Sequence, residues 1–313
     1  MIGGAVLATT LPVEAMTRLE HMGKGLSDAG ALLRGVCDLH LHCSPDTKER
    51  TVDELTMARE AAKAGYRALM FKSNDFSCHD RAWLVGRMVP EVTCYGSLIL
   101  NRVHGGINPY AVEKAVRTHG AACKCIYLPT LDAVYPMKLA GRTGGIAVLD
   151  ERGCVLPEVI HIMEICRDAD IMLATGHSAP DESLVLAKKA KETGVGKFVI
   201  THANSRIWQL THEQIHLAID LGAWIEYSCL PLYWGAGTSL PDYVPQPLQD
   251  FISYLQLCPE RSFVTTDLGA AQLPSPVEGM RKTMVMLLER GLSSSVIDTL
   301  FRQNPAHLIG ITD

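Results

Sequence analysis

The chain has 313 residues, 47% of them hydrophobic, with 34 acidic and 29 basic side chains and a formal charge of −5. That is ample apolar material for one large core, and a mildly acidic chain without a basic cluster is not built to bind a nucleic-acid backbone. No segment approaches the roughly 20 apolar residues that span a bilayer, and the apolar run 1–8 lacks the basic residues of a secretion signal.

In chain order, apolar positions at mixed three- and four-residue spacing (Met16, Leu19, Met22, Leu26, Leu32) predict a helical segment within residues 1–33. From 34 to 313 the pattern reads as one further domain. The run 36–42, Val-Cys-Asp-Leu-His-Leu-His, is a short apolar strand ending in two histidines. Side chains at i and i+2 share one face of a strand, so His40 and His42 project together. That is the geometry of a two-nitrogen bite on a metal, though a lone His-x-His is as readily a pair of satisfied polar groups. A loop at 43–46 leads to an amphipathic helix from 51 or 52 to 64, stopped by Gly65. A strand over 66–71 ends at Lys72, a helix covers 79–89, and a strand over 92–100 ends in Asn101 and Arg102. Pro109 opens another helix, closed by Gly120, and the strand 124–128 runs into Pro129 and Thr130.

The alternation then breaks. Residues 131–156 hold glycines and a hairpin pattern, 146–149 and 154–156 around Glu151-Arg152-Gly153, which reads as an insertion that could cover a site. Helix and strand resume over 157–168, 171–175, 180–193, 197–201, 211–221 and 223–229. After a loop rich in proline, glycine and aromatics at 230–247 come a helix to about 257, a strand at 262–266 and closing helices near 276–290 and 294–302. Eight strands alternating with helices imply right-handed crossovers and a parallel sheet, hence a single (β/α)8 TIM-like barrel. An open doubly wound sheet would show a glycine-rich loop after its first strand, where this chain has Cys43-Ser44-Pro45-Asp46.

In such a barrel the chemistry gathers where strands end. Those positions hold His40 and His42, Lys72, His177, His202 and Asp267, spread over most of the chain. Each alone is weak, since Asp267 could simply cap a helix and Lys72 could pair with Asp75 or Asp46. Together they define a candidate metal rim. Asn101, Arg102 and Trp234 (with Tyr233) stand at other strand ends as candidate substrate contacts, although Arg102 could pair with a neighbouring loop and the aromatics could pack between subunits. Glu226 lies inside a strand and reads as structural. None of the ten cysteines forms Cys-x-x-Cys, and most lie in hydrophobic runs, so free thiols in a reducing cytoplasm are expected.

These strand-end residues resemble the metal-dependent amidohydrolase superfamily, which carries His-x-His on strand one, His on strands five and six, and Asp on strand eight. The ending Asn304-Pro305-Ala306-His307-Leu308-Ile309-Gly310 resembles the Asn-Pro-Ala-x-Leu-x-Gly ending common there. The similarity spans about residues 34–310. More narrowly, the runs ALMFKSN (68–74), GGINP (105–109) and KCIYLPTLDA (124–133) resemble an uncharacterised amidohydrolase-like group. The chain departs from the wider pattern twice. His40 comes too early for an N-terminal β-sandwich, and strand four ends in Pro129-Thr130 where two-metal members carry a carbamylated lysine or a glutamate. Lys124 sits at the wrong end of that strand, which makes Lys72 the better-placed lysine. Burial beside cations would supply the neutral amine that carbamylation of Lys72 requires.

The resemblance implies a divalent metal, one or two ions, zinc first and manganese or iron as alternatives. It implies a metal-dependent hydrolase acting on C–N bonds other than peptide bonds, in a small amide, a cyclic amide or imide, or on a lactone. Asp267 would act as general base and then acid, and His202 would hold metal or orient the carbonyl. The partner would be a small-molecule substrate, with no nucleic acid or membrane, and the chain a cytoplasmic homo-oligomer. Three rivals stand beside this reading: a phosphoesterase, because 38–42 also resembles the opening of the PHP family, a metal-dependent decarboxylase, and a non-catalytic metal-binding barrel.

Overall fold

A computed structural model of the chain describes residues 29–120 and 122–311. Of the helical segment expected over 1–33, residues 1–28 lie outside the described ones, and Ala29–Leu32 form a short helix. Eight strands follow: β1 (Cys37–Leu41), β2 (Ala68–Phe71), β3 (Thr93–Ile99), β4 (Cys123–Tyr127), β5 (Met172–Ala174), β6 (Phe198–Ile200), β7 (Trp224–Ser228) and β8 (Ser262–Thr265). They pair in sequence order and every pairing is parallel. A helix separates each strand from the next, as a parallel sheet requires. The first of these helices, Glu54–Ala64, shows how the sequence sets the boundaries. The Asp53 carboxylate accepts the Thr56 N–H at its start, and Gly65 closes it in the left-handed region at φ 81°.

Alternation along each strand divides the apolar residues into two layers. Leu39, Met70, Tyr127, Met172 and Phe263 fill the barrel, and Ala306, Leu308 and Ile309 close its lower end. Leu41, Leu69, Phe71, Ile126 and Leu173 face outward and pack beneath the helices. The Asn-Pro-Ala ending has a mechanical role here. Asn304 Nδ2 donates to the carbonyls of Pro259 (2.8 Å) and Ser262 (2.6 Å), tying the closing segment to the start of β8.

Simple alternation fails in β1. Cys37 pairs with Ala68 and Asp38 with Leu69, but Leu41 pairs with Phe71, so the bulged strand carries one extra residue between Asp38 and Leu41. Leu39 and His40 therefore both face the interior, and Asp38 falls on the outer side. There its carboxylate lies against the end of β8, accepting the Thr266 N–H at 3.0 Å and the Thr266 hydroxyl at 2.6 Å. Two backbone bonds complete this seam: Asp267 N–H donates to His40 O (2.7 Å) and His42 N–H to Leu268 O (2.8 Å).

The insertion after β4 is more than a hairpin. Leu149 and Val155 form an antiparallel bridge, as the pattern predicts, but a helix at Val134–Leu139 precedes it. All ten cysteines are free, and only Cys154 is exposed. No helix among the described residues is long and apolar enough to cross a membrane.

The seam makes a prediction. Burial pushes the Asp38 carboxyl from its ordinary 3.8 up to about 7, against the Thr266 bonds that lower it. A raised folded pKa means that the folded state holds its proton longer, so this group costs stability progressively between about pH 4 and pH 7. Asp38→Asn keeps an acceptor for the Thr266 N–H and removes the titration. Its stability should rise relative to wild type over that window and run parallel above it. Asp38→Ala leaves the Thr266 N–H without its partner and should cost about 1–3 kcal/mol. Urea denaturation at several pH values measures both.

Candidate metal centre

The upper rim brings together side chains from both ends of the chain. His40 and His42 come from β1 and its exit, Lys72 follows β2, His177 lies beyond β5, His202 beyond β6 and Asp267 beyond β8. The Asp267 Oδ1 lies 2.8 Å from His40 Nε2 and 3.2 Å from His42 Nε2. Donor atoms of these three residues all fall within 4.8 Å of one another. Lys72 Nζ stands 2.9 Å from His40 Nε2 and 4.8 Å from the centre of the Tyr127 ring. The His177 and His202 rings are 5.0 Å apart, and His202 is 6.2 Å from His40.

The backbone is strained where it delivers two of these groups. His202 (φ 37°) and Asp267 (φ 52°) occupy the left-handed region, which costs a non-glycine residue about 1–3 kcal/mol. Surrounding bonds over-determine both. The residue after His202 donates its N–H to Glu226 O at 2.9 Å, and Asp267 N–H is held by His40 O. Gly269 (φ 124°) completes the turn, and a Cβ there would lie 1.8 Å from His42 O.

Glu226 is the residue whose role the sequence pattern concealed. It faces inward from β7 and its Oε1 is 2.5 Å from His40 Nδ1, while the Thr265 hydroxyl donates to the same oxygen at 2.8 Å. A carboxylate behind an imidazole fixes the ring and its tautomer. Its signal was alternation, because Trp224 faces the interior and Glu226 is two residues further on. Behind His42 stands Arg50, with Nη2 at 3.4 Å from Nδ1 and 3.0 Å from Asp46.

Charge is sorted within this rim. Burial opposes protonation of His40, but Asp267 and Glu226 outweigh both burial and the Lys72 cation and raise it to about 8. Burial lowers His42 to about 3 and His202 to about 4, and it takes His177 well below the ordinary range. Burial likewise lowers Lys72. Asp267 is held well below the usual carboxylate range, since His40, His42 and Lys72 outweigh its burial. The rim thus presents three neutral imidazoles, His42, His177 and His202, beside a protonated His40 and an ionised Asp267.

The candidate substrate contacts each have partners of their own. Asn101 is buried and bonded on both sides of its amide, donating to Thr130 Oγ1 (2.8 Å) and Asn74 O and accepting from Thr130 N–H. The Arg102 side chain is 58% exposed and faces Asp132 at 3.6 Å and the Gly144 carbonyl. Trp234 stacks on Tyr243 at 4.7 Å and donates its indole N–H to Val244 O, within its own loop. The Tyr233 hydroxyl bonds Gly279 O and Thr283 on the last long helix. A residue not anticipated, Trp208, lies over both His177 and His202, with ring centres 4.1 and 4.6 Å away.

A divalent cation fits these residues. His177 Nδ1 and both ring nitrogens of His202 are buried with no hydrogen-bond partner among the described residues. Leaving such atoms unpaired costs about 1–3 kcal/mol each, which ligation would relieve. Neutral imidazole with carboxylate is a donor set for zinc and for other first-row divalent ions.

Fold and rim define an eight-stranded parallel barrel with a histidine–carboxylate cluster at the strand ends. The chain belongs to the family described as Family of unknown function (DUF6282), whose family model matches residues 35–226. No curated protein matches the sequence. Among solved structures it is similar to the probable dipeptidase PvdM from Pseudomonas aeruginosa, with TM-score 0.65 and 12% identity over 92% of this chain and 98% of that one. It is also similar to an amidohydrolase from Pseudomonas aeruginosa (TM-score 0.58, 10% identity, 90% and 99% covered). A mutant organophosphorus hydrolase from Deinococcus radiodurans gives TM-score 0.57 at 12% identity, with 90% and 94% covered. At such identities the likeness establishes a shared fold, the one expected from the strand-end pattern.

Gly269 tests how tightly the turn behind the site is built. Gly269→Ala places a methyl group against His42 O in a backbone conformation that L-residues avoid. It should destabilise the protein by at least ~2 kcal/mol, seen as a lowered midpoint in thermal denaturation.

Proposed function

We propose that the protein is a metal-dependent hydrolase of small molecules, with His40, His42, His177, His202 and Asp267 as the metal-binding set. The observation that carries this is the convergence of His40, His42 and Asp267 within 4.8 Å, beside buried imidazole nitrogens that no group among the described residues satisfies. A divalent cation held there supplies Lewis-acid polarisation of a substrate oxygen and lowers the pKa of water from about 15.7 to about 7.

The protein's own groups divide the remaining work. Asp267, kept ionised, accepts a proton from the attacking water and returns it to the leaving group. Glu226 holds the His40 ring through Nδ1 and keeps Nε2 turned to the centre. His202, neutral at working pH, completes the metal set or orients the scissile carbonyl. Lys72, with its pKa lowered by burial, is suited to carbamylation and a bridging role, which would raise the complement from one ion to two.

The substrate class that fits is a trigonal carbonyl centre: an amide, a cyclic amide or imide, or a lactone. Solved structures of similar fold include dipeptidases and an engineered organophosphate hydrolase derived from a lactonase template, so peptide bonds and phosphotriesters join the test panel.

Protein purified without chelator should carry at least one divalent ion per chain, and two where Lys72 is carbamylated. Metal-loaded enzyme should hydrolyse members of a panel of cyclic imides, lactones, N-acyl amino acids and dipeptides. Turnover of p-nitrophenyl phosphate alone would replace this reading with a phosphoesterase. Asp267→Asn should leave the fold intact and lower turnover by about 10²- to 10⁴-fold. A variant unchanged in metal content and every other property would identify a non-catalytic barrel.

Metal uptake should also depend on pH. His40 keeps its proton up to about pH 8 in the metal-free protein, so a cation must displace it. Affinity should fall about tenfold per pH unit below 8 and level off above it, measured by competition with a chromogenic chelator.

A further inference from the structure

We propose that Trp208 is the positioning residue for His177 and His202, fixing both imidazole planes by face contact where the other histidines of the rim are fixed by polar partners. This rests on the metal reading of the rim. His40 has Glu226 behind its Nδ1, and His42 has Arg50, itself braced by Asp46. Among the described residues nothing comparable stands behind His177 or His202, whose Nδ1 atoms are unpaired there. A histidine ligand without such a partner is free to rotate about its side-chain bonds, and that freedom is lost again on binding an ion.

The indole removes it in another way. Trp208 lies 4.1 Å from the His177 ring at 35° and 4.6 Å from the His202 ring at 33°. One flat surface thus contacts both rings. Aromatic pairs at these separations are worth about 0.5–1.5 kcal/mol beyond their burial, and they restrain ring orientation. Contact with the faces leaves the ring edges, where the nitrogens lie, open to a cation.

Trp208 is itself held by backbone and neighbours. Its N–H donates to Ser205 O at 2.9 Å, and the Leu210 N–H donates to Ala203 O at 3.1 Å. Tyr135, from the insertion after β4, donates its hydroxyl to Ile207 O at 3.2 Å. On the other flank Tyr254 donates to Leu210 O at 3.1 Å and accepts from Gln209 at 2.8 Å. The indole N–H is buried without a partner among the described residues, so the ring is placed by its loop and by the two histidines.

The test follows Co²⁺ titrated into metal-free, full-length protein by tryptophan fluorescence and by the metal retained after desalting. Trp208 is one of four tryptophans, and Co²⁺ held by His177 and His202 should quench it, while Zn²⁺ serves as the non-quenching control. Trp208→Phe keeps a flat ring: it should lose most of the quench and bind Co²⁺ within about threefold of wild type. Trp208→Ala should weaken binding about 10- to 100-fold, the usual scale for removing a partner that orients a ligand. Equal affinity in wild type and Trp208→Ala overturns the proposal, as does wild type that retains Co²⁺ without quenching. Wild type that binds no Co²⁺ overturns the metal reading together with it.

Discussion

The hydrogen bonds that join the first strand to the last hold both the barrel and its rim. Strands β1 and β8 meet through His40 O, the His42 N–H and the Asp38 carboxylate, all bonded to the segment that leaves β8. That segment carries Asp267, which is 225 residues from His42 in sequence and 3.2 Å from it in space. Closing the barrel and bringing the carboxylate to the histidines are therefore one event. The strained φ of Asp267 and the close approach of Gly269 to His42 are tolerated because the same bonds enforce them. A barrel that closed one residue out of register would lose the histidine–carboxylate cluster along with its seam.

Burial does the electrostatic work within that frame. An exposed rim of four imidazoles, a lysine and two carboxylates would titrate near ordinary values and pair with water. Inside the barrel mouth, the desolvation cost of charge keeps His42, His177 and His202 neutral and lowers Lys72. The two anions that persist, Asp267 and Glu226, do so because they flank His40, which takes up the proton between them. A cation replacing that proton would leave four neutral imidazoles and an ionised Asp267 without further rearrangement of charge. Apart from the proton on His40, the protonation states of the rim are those that ligation of a cation would require.

The barrel was legible because it rests on periodicity, and the rim because strand ends are marked by where apolar runs stop. His40, His42, Lys72, His177, His202 and Asp267 could each be placed at a strand's end from pattern alone. What escaped depends on geometry that pattern does not encode. The bulge between Asp38 and Leu41 adds one residue to a strand whose sequence alternates without interruption, and it sends Asp38 outward to the seam. Glu226 looked structural because a carboxylate inside a strand has no local partner; its partner is 186 residues away. Asn101 stands at a strand end like the rim histidines do, yet its amide braces the loops after β2 and β4 through Asn74 and Thr130. Trp208 lies in an irregular loop where neither period applies, and only the folded chain shows what it covers.

The two halves of the rim are consequently held by different physics. On the β1–β8 side every ring has a charged neighbour behind it, and those neighbours are bonded in turn: Glu226 to Thr265, Arg50 to Asp46, Asp46 to Ser73. Such a network is directional, and any displacement leaves a buried polar group unpaired at a cost of about 1–3 kcal/mol. On the β5–β6 side the rings lie in tilted contact with one indole, a contact whose energy changes gradually with small shifts of the loop. That loop is tied through Tyr135 to the insertion after β4 and through Tyr254 to the helix Leu248–Leu255. The first half fixes the positions of His40, His42 and Asp267. The second half ties the orientation of His177 and His202 to the insertion after β4 and to the helix Leu248–Leu255, so small shifts there can move these rings without breaking the seam.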